Sequence, residues 1–80
     1  MSIYLSQGVV GQNVEHLQMM LNYLIPQQTP LKVDGIFGPK TRLIVVQFQK
    51  VSNLSQDGIV GPLTSKELVR SVLSSILKQS

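Results

Sequence analysis

Residues 34–41 read Asp34-Gly35-Ile36-Phe37-Gly38-Pro39-Lys40-Thr41, and residues 57–64 read Asp57-Gly58-Ile59-Val60-Gly61-Pro62-Leu63-Thr64. Both follow the pattern DGxxGPxT and differ only at the fourth and seventh places. Such self-similarity marks a structural unit used twice, and its chemistry says what the unit does. The short carboxylates of Asp34 and Asp57 accept backbone N–H groups a few residues on, while Gly35 and Gly58 supply the positive φ that such a turn needs. Gly38 and Gly61 stand where a helix N-cap is expected. Pro39 and Pro62 follow at the first helical position, where a missing N–H is harmless, with Thr41 and Thr64 in the first turn. Each octad therefore closes a loop and starts a helix. The apolar pairs Ile36-Phe37 and Ile59-Val60 are expected to pin the incoming loop onto the core. A fainter copy, Gly8-Val9-Val10-Gly11, keeps the glycine, apolar, apolar, glycine order without the Asp or the Pro. It too precedes a helical pattern.

Working outward from these starts, the spacing predicts three helices and an all-α fold. In the first, about 12–24, a 100° step gathers Val14, Leu17, Gln18, Leu21, Leu24 and Ile25 on one face, with Glu15, His16 and Met19 away from it. The second, about 39–51, places Thr41, Ile44, Val45, Phe48 and Val51 together and ends before Asn53, a residue tolerant of the left-handed stop conformation. The third, about 62–77, carries a stripe of Leu68, Val69, Val72, Leu73 and Ile76. Pro26 and Pro30 bracket a long connection with little room for a strand. Leu43 and Val46 point away from the core face, so the second helix is apolar nearly all round. Such a helix is either covered on both sides, here by the bundle and the Pro26 to Pro30 loop, or docks a partner.

Composition limits the chemistry. Eighty residues make one small domain with one core, and a hydrophobic fraction of 42% against 14% charged is that of a packed unit. With no cysteine there is neither a disulfide framework nor a thiolate metal site. One histidine and four carboxylates do not suffice for a metal cluster or an activated nucleophile, and no cofactor is expected. His16 reads as a solvated side chain. Asp34 and Asp57 recur at the same place in two copies of one turn, which is how structural loop residues repeat, so they are not read as a glycosidase pair. The first octad also lacks the alternating oxygen ligands of a calcium loop. The net charge of +3 comes from seven cations spread between Lys32 and Lys78. The link from Val51 to Gly61 is far longer than a helix-turn-helix allows, which argues against nucleic acid. No apolar run approaches the roughly 20 residues of a membrane span.

The ordered positions also carry a resemblance. Gly8-x-x-Gly11-x-x-Val14-x-x-Leu17-Gln18-x-x-Leu21 is followed by Asp34-Gly35-x-Phe37-Gly38-x-x-Thr41-x-x-Ile44-Val45-x-x-Phe48-Gln49. Then comes Leu54-x-x-Asp57-Gly58-x-Val60-Gly61-x-x-Thr64-x-x-x-Leu68. Together, over about residues 5–70, they resemble the peptidoglycan-binding domain family. The resemblance implies a compact three-helix bundle with long loops, one domain over 1–80, in which 71–80 extend the third helix. It further implies a non-catalytic module that targets an attached or associated wall-acting enzyme or effector to peptidoglycan. Relatives put the fold to other uses, including the propeptides of animal matrix metalloproteinases, and Ile44 and Asn53 depart from the family's usual Ala and Gly.

On this reading the octad loops and helix starts form a shallow groove for a stem peptide or glycan. Lys40, Thr41 and Arg42 in the first turn of the second helix, with Lys66 at the equivalent place in the third, are the expected ligand-binding residues. Tyr4 and Tyr23 are candidates to stack on a sugar, plain packing being the competing role. Asp34, Gly35, Gly38, Asp57, Gly58 and Gly61 are structural loop residues. Single-site affinity is expected to be weak, about 4–8 kcal/mol, with avidity on a repeating wall prolonging attachment. The alternative is an interaction or regulatory domain that has lost the wall ligand and holds a protein through Leu43, Val46, Met19 and Met20. The start of the chain has no secretory signal, so the expected route runs from the cytoplasm to the wall or periplasm by holin-type release or a dedicated secretion machine.

Overall fold

The computed structural model describes residues 4–78 as three helices: α1 over Gln12–Leu24, α2 over Pro39–Val51 and α3 over Pro62–Lys78. The expected helical extension through 79 and 80, and the first three residues of the expected domain, lie outside the described residues. No named strand occurs among the described residues; two isolated antiparallel bridges, Leu5 with Val60 and Val10 with Ile36, stitch the amino-terminal segment to the octads.

Each helix starts at a glycine. The carbonyls of Gly11, Gly38 and Gly61 accept the first helical bonds, from the amides of Glu15 (3.3 Å), Arg42 (3.0 Å) and Ser65 (2.9 Å). The faint third copy is thus a true helix starter in the same register as the octads. α2 stops as its sequence indicates: Asn53 takes φ 61. Its amide donates to Lys50 O (3.2 Å) and that of Leu54 to Gln49 O (2.8 Å), the paired bonds of a Schellman stop.

α1 is the central helix, packing against both α2 and α3. Its buried face of Val14, Leu17, Gln18 and Leu21 meets Ile44, Val45 and Phe48 of α2 and Leu68 of α3 in one core, closed by Leu5, Phe37 and Val60. Leu24 and Ile25 are half-buried at its edge. Three expectations need correction. Only Phe37 and Val60 of the octad pairs are buried, while Ile36 and Ile59 are largely exposed. Neighbouring residues of an extended segment point to opposite sides, so a pair cannot pin with both members. Val51 is 77% exposed because it ends α2 as the chain turns away. Of the α3 stripe only Leu68 is buried, with Val69, Leu73 and Ile76 about half exposed. α3 has α1 as its main neighbour, and one neighbour covers only part of an apolar stripe.

Gly35 (φ 75) and Gly58 (φ 73) both occupy the left-handed region. An alanine Cβ at Gly58 would meet the flexible side chain of Arg42, whose Nε would lie 2.8 Å away. At Gly35 it would sit 3.0 Å from the backbone oxygen of Gly11, which has little freedom to move. Gly58→Ala is therefore expected to lose about 1–2 kcal/mol, the ordinary cost of the conformation, and Gly35→Ala more. Urea denaturation of the two variants checks the order, and equal losses would count against the backbone contact.

Candidate functional site

The octads are organised by two glutamines buried in the preceding helices. Gln18, 1% exposed, accepts the amides of Asp34 (3.1 Å) and Gly35 (3.0 Å) on Oε1. Its Nε2 lies within hydrogen-bond distance of Asp34 Oδ1 (3.2 Å), Ile36 O (3.0 Å) and Thr41 Oγ1 (3.1 Å). Gln49, also 1% exposed, repeats this in the second octad. Its Oε1 accepts the Gly58 amide (3.0 Å), and its Nε2 reaches Asp57 Oδ1 (3.0 Å), Ile59 O (3.0 Å) and Thr64 Oγ1 (3.2 Å). One side chain thus satisfies the loop's backbone and the first-turn threonine together. The repeat extends into the helices as Val14-x-x-Leu17-Gln18 and Val45-x-x-Phe48-Gln49, a signal that marks both glutamines.

Asp34 Oδ1 accepts the Ile36 amide at 2.9 Å and Asp57 Oδ1 the Ile59 amide at 3.0 Å. The Ile36 amide holds the Asp34 carboxyl below its ordinary 3.8, helped by Gln18 and by the charge of Lys32. The Ile59 amide does the same for Asp57, helped by Gln49 and the charge of Arg42 and opposed by partial desolvation. The folded state therefore binds these protons less readily than the unfolded chain, so the stabilisation is complete above the ordinary carboxyl range and is lost as pH falls through it. The thermal midpoint is expected to hold between about pH 7 and pH 5 and to drop below about pH 4. Asp34→Asn and Asp57→Asn, whose amide oxygens still accept the isoleucine amides, should flatten that drop, as a pH series of melts will show.

An open groove of about 760 Å³ lies between the 27–32 loop and the start of α2. Its lining includes Lys40, Thr41 and Leu43 from α2, Pro30, Leu31 and Lys32 from the loop, and Gln18 and Asp34. Asn22 holds the loop in place: its Oδ1 accepts the Leu31 amide (2.8 Å) and its Nδ2 donates to the Leu31 carbonyl (2.9 Å). Neither Lys32 nor Asn22 stands out in the sequence, because a clamp across nine residues has no local signature.

The predicted ligand residues do not come together in one place. Lys40 and Thr41 line this groove, but Arg42 lies over Gly58 at the second octad. Residues two apart on a helix are about 200° apart around it, so Lys40 and Arg42 cannot face one ligand. Lys66 lines a second groove of about 650 Å³ between α1 and α3, with His16. Tyr4 rests on Gly61, where its ring carbon Cε1 is 2.9 Å from the place of an added Cβ, and Tyr23 shares a 3.0 Å hydrogen bond with Ser75 Oγ. Of the apolar pair on the outer side of α2, Val46 is half-buried, while Leu43 is 56% exposed and contributes to the first groove.

Comparison with known proteins places this architecture. Residues 10–68 match the family model of the peptidoglycan binding domain. Over 64 residues the chain is 47% identical to the uncharacterized protein in the bpoA1 3' region of Kitasatospora aureofaciens, an alignment covering 80% of this chain and 53% of that protein. It is 38% identical over 64 residues to the zinc D-Ala-D-Ala carboxypeptidase of Streptomyces albus G, covering 80% of this chain and 25% of the relative. The chain thus spans about half or less of the length of these curated relatives. The solved SleB N-terminal domain superposes with a TM-score of 0.79 at 33% identity, over 86% of this chain and 92% of that one. Matching in family pattern across most of its length and in fold to a solved relative, the chain belongs to the peptidoglycan-binding domain family.

Proposed function

We propose that this domain binds peptidoglycan without turnover and holds an attached or associated wall-acting enzyme or effector on the cell wall. The observation that supports a site is the groove beside Lys40, one of the residues expected to hold the ligand; Thr41, also expected, is 3% exposed and its hydroxyl is bonded to Gln18. Its volume of about 760 Å³ suits a fragment of a polymer, and Lys32 adds a second cation to its lining. The four carboxylates do not supply an acid and base pair: Asp34 and Asp57 are each committed to their own turn. In the carboxypeptidase relative, the 64 matched residues are one quarter of the protein, which is the arrangement of a module joined to other parts. The protein-partner reading through Leu43 and Val46 has less support, since Val46 is half-buried and Leu43 belongs to the groove itself.

Co-sedimentation of the domain with isolated sacculi at low and moderate salt tests the reading. Saturable pelleting is expected. An exposed ion pair contributes about 0.2–1 kcal/mol, so Lys32→Ala with Lys40→Ala should weaken binding by several-fold to about tenfold. Arg42→Ala, which faces the second octad, should change it little. Absence of pelleting at either salt would reject wall binding, and sensitivity to Arg42→Ala alone would move the site to the second octad.

A further inference from the structure

We propose that the groove takes the stem peptide of peptidoglycan, an oligopeptide rich in carboxylates, and leaves the glycan strand in solvent; this rests on the wall-binding reading above. The first argument is the ring inventory. Sugars are held by stacking their C–H faces on aromatic rings, and no aromatic side chain lines the groove. Phe37 and Phe48 are buried in the core, Tyr4 is laid on Gly61 and Tyr23 is tied to Ser75, each outside the groove.

The second argument is charge. Lys32, from the loop, and Lys40, from the start of α2, both line the groove, and neither is in an ion pair among the described residues. Asp34 lines the same groove, and its bonds from the Ile36 amide and Gln18 reach Oδ1 and leave Oδ2 available for an ammonium. Two cations and one carboxylate complement a peptide whose carboxylates outnumber its amines. In intact peptidoglycan the lactyl carboxyls of the glycan are tied up as amides to the peptides, so the strand offers the lysines oxygen acceptors but no opposite charge. Third, Pro30, Leu31, Leu43 and Ile44 provide apolar wall between the charges, suited to the methyl groups of alanine residues. The groove volume of about 760 Å³ falls in the ordinary range for a ligand of a few residues.

The test titrates the 80-residue chain with the tetrapeptide L-Ala-D-Glu-diaminopimelate-D-Ala and, separately, with N,N'-diacetylchitobiose, an uncharged disaccharide of acetylated sugars, following backbone amide NMR shifts. In parallel, pelleting on intact sacculi is compared with pelleting on insoluble chitin, an uncharged glycan without peptides. The tetrapeptide should shift Lys32, Lys40 and Thr41, the disaccharide should bind about tenfold more weakly or not at all, and chitin should carry down none of the protein. Lys32→Ala with Lys40→Ala, with folding checked by circular dichroism, should weaken the tetrapeptide about tenfold. Pelleting on chitin equal to that on sacculi, equal shifts from the disaccharide, or tetrapeptide shifts confined to residues outside the groove would overturn the peptide assignment while wall binding stands. Failure to pellet even intact sacculi would overturn both.

Discussion

Gln18→Leu is expected to lose about 3–5 kcal/mol of stability, a large share of the roughly 4–12 kcal/mol that a domain of this size has in total. Leucine matches the volume tolerably but removes every polar contact. The Gly35 amide and the Thr41 hydroxyl, both buried, lose their partner together with the Asp34 amide. Each buried group left unsatisfied costs about 1–3 kcal/mol. Gln49→Leu should behave alike, since Gln49 serves Gly58, Asp57, Ile59 and Thr64 in the same way. Urea denaturation followed by circular dichroism gives the loss directly. A change under about 1 kcal/mol would mean that water enters and satisfies the octad, and the glutamine would not be the organising group.

Phe37→Ala is expected to be comparably damaging, at about 3–5 kcal/mol. Phe37 is 1% exposed and belongs to the cluster formed by all three helices, so its removal leaves a cavity bounded by elements that cannot all move inward. Its amide donates to Val9 O at 3.0 Å and its carbonyl accepts the Gly8 amide at 2.9 Å, which fixes its backbone and limits collapse. The equivalent residue of the second octad provides the comparison. Val60 is bridged to Leu5 by bonds of 2.8 and 3.0 Å, but truncating it to alanine removes only two methyl groups, about 2 kcal/mol. Denaturation of both variants side by side should show Phe37→Ala as the more harmful; equal losses would mean that the first octad repacks.

The candidate site was only partly legible before the structure. Lys40 and Thr41 do border a groove, and the octad aspartates and glycines occupy the turns that their chemistry demands. Arg42 was grouped with Lys40 because the two are close in sequence, although helical geometry alone separates them. Lys32 was unremarkable as one of seven scattered cations, and it reaches the groove only because Asn22 clamps Leu31 onto α1. The Leu43 question had two proposed answers, cover or partner. The structure places the residue on the rim of a groove that the 27–32 loop borders without closing.

What the sequence by itself determined is the local part: the octads as loop closers and helix starters, α1 and α2 at the residues expected, and the left-handed stop at Asn53. These depend on φ preferences, a missing proline N–H and side chains bonding a few residues away, all of which are settled within one or two turns of chain. Only the tertiary structure decided that Ile36, Ile59 and most of the α3 stripe remain exposed, that two glutamines are buried as hubs, and that the expected cations divide between two grooves and the second octad. Periodicity identifies which face of a helix is apolar. Whether that face is covered, and which distant polar groups meet, depends on how the helices and the loops joining them pack against one another.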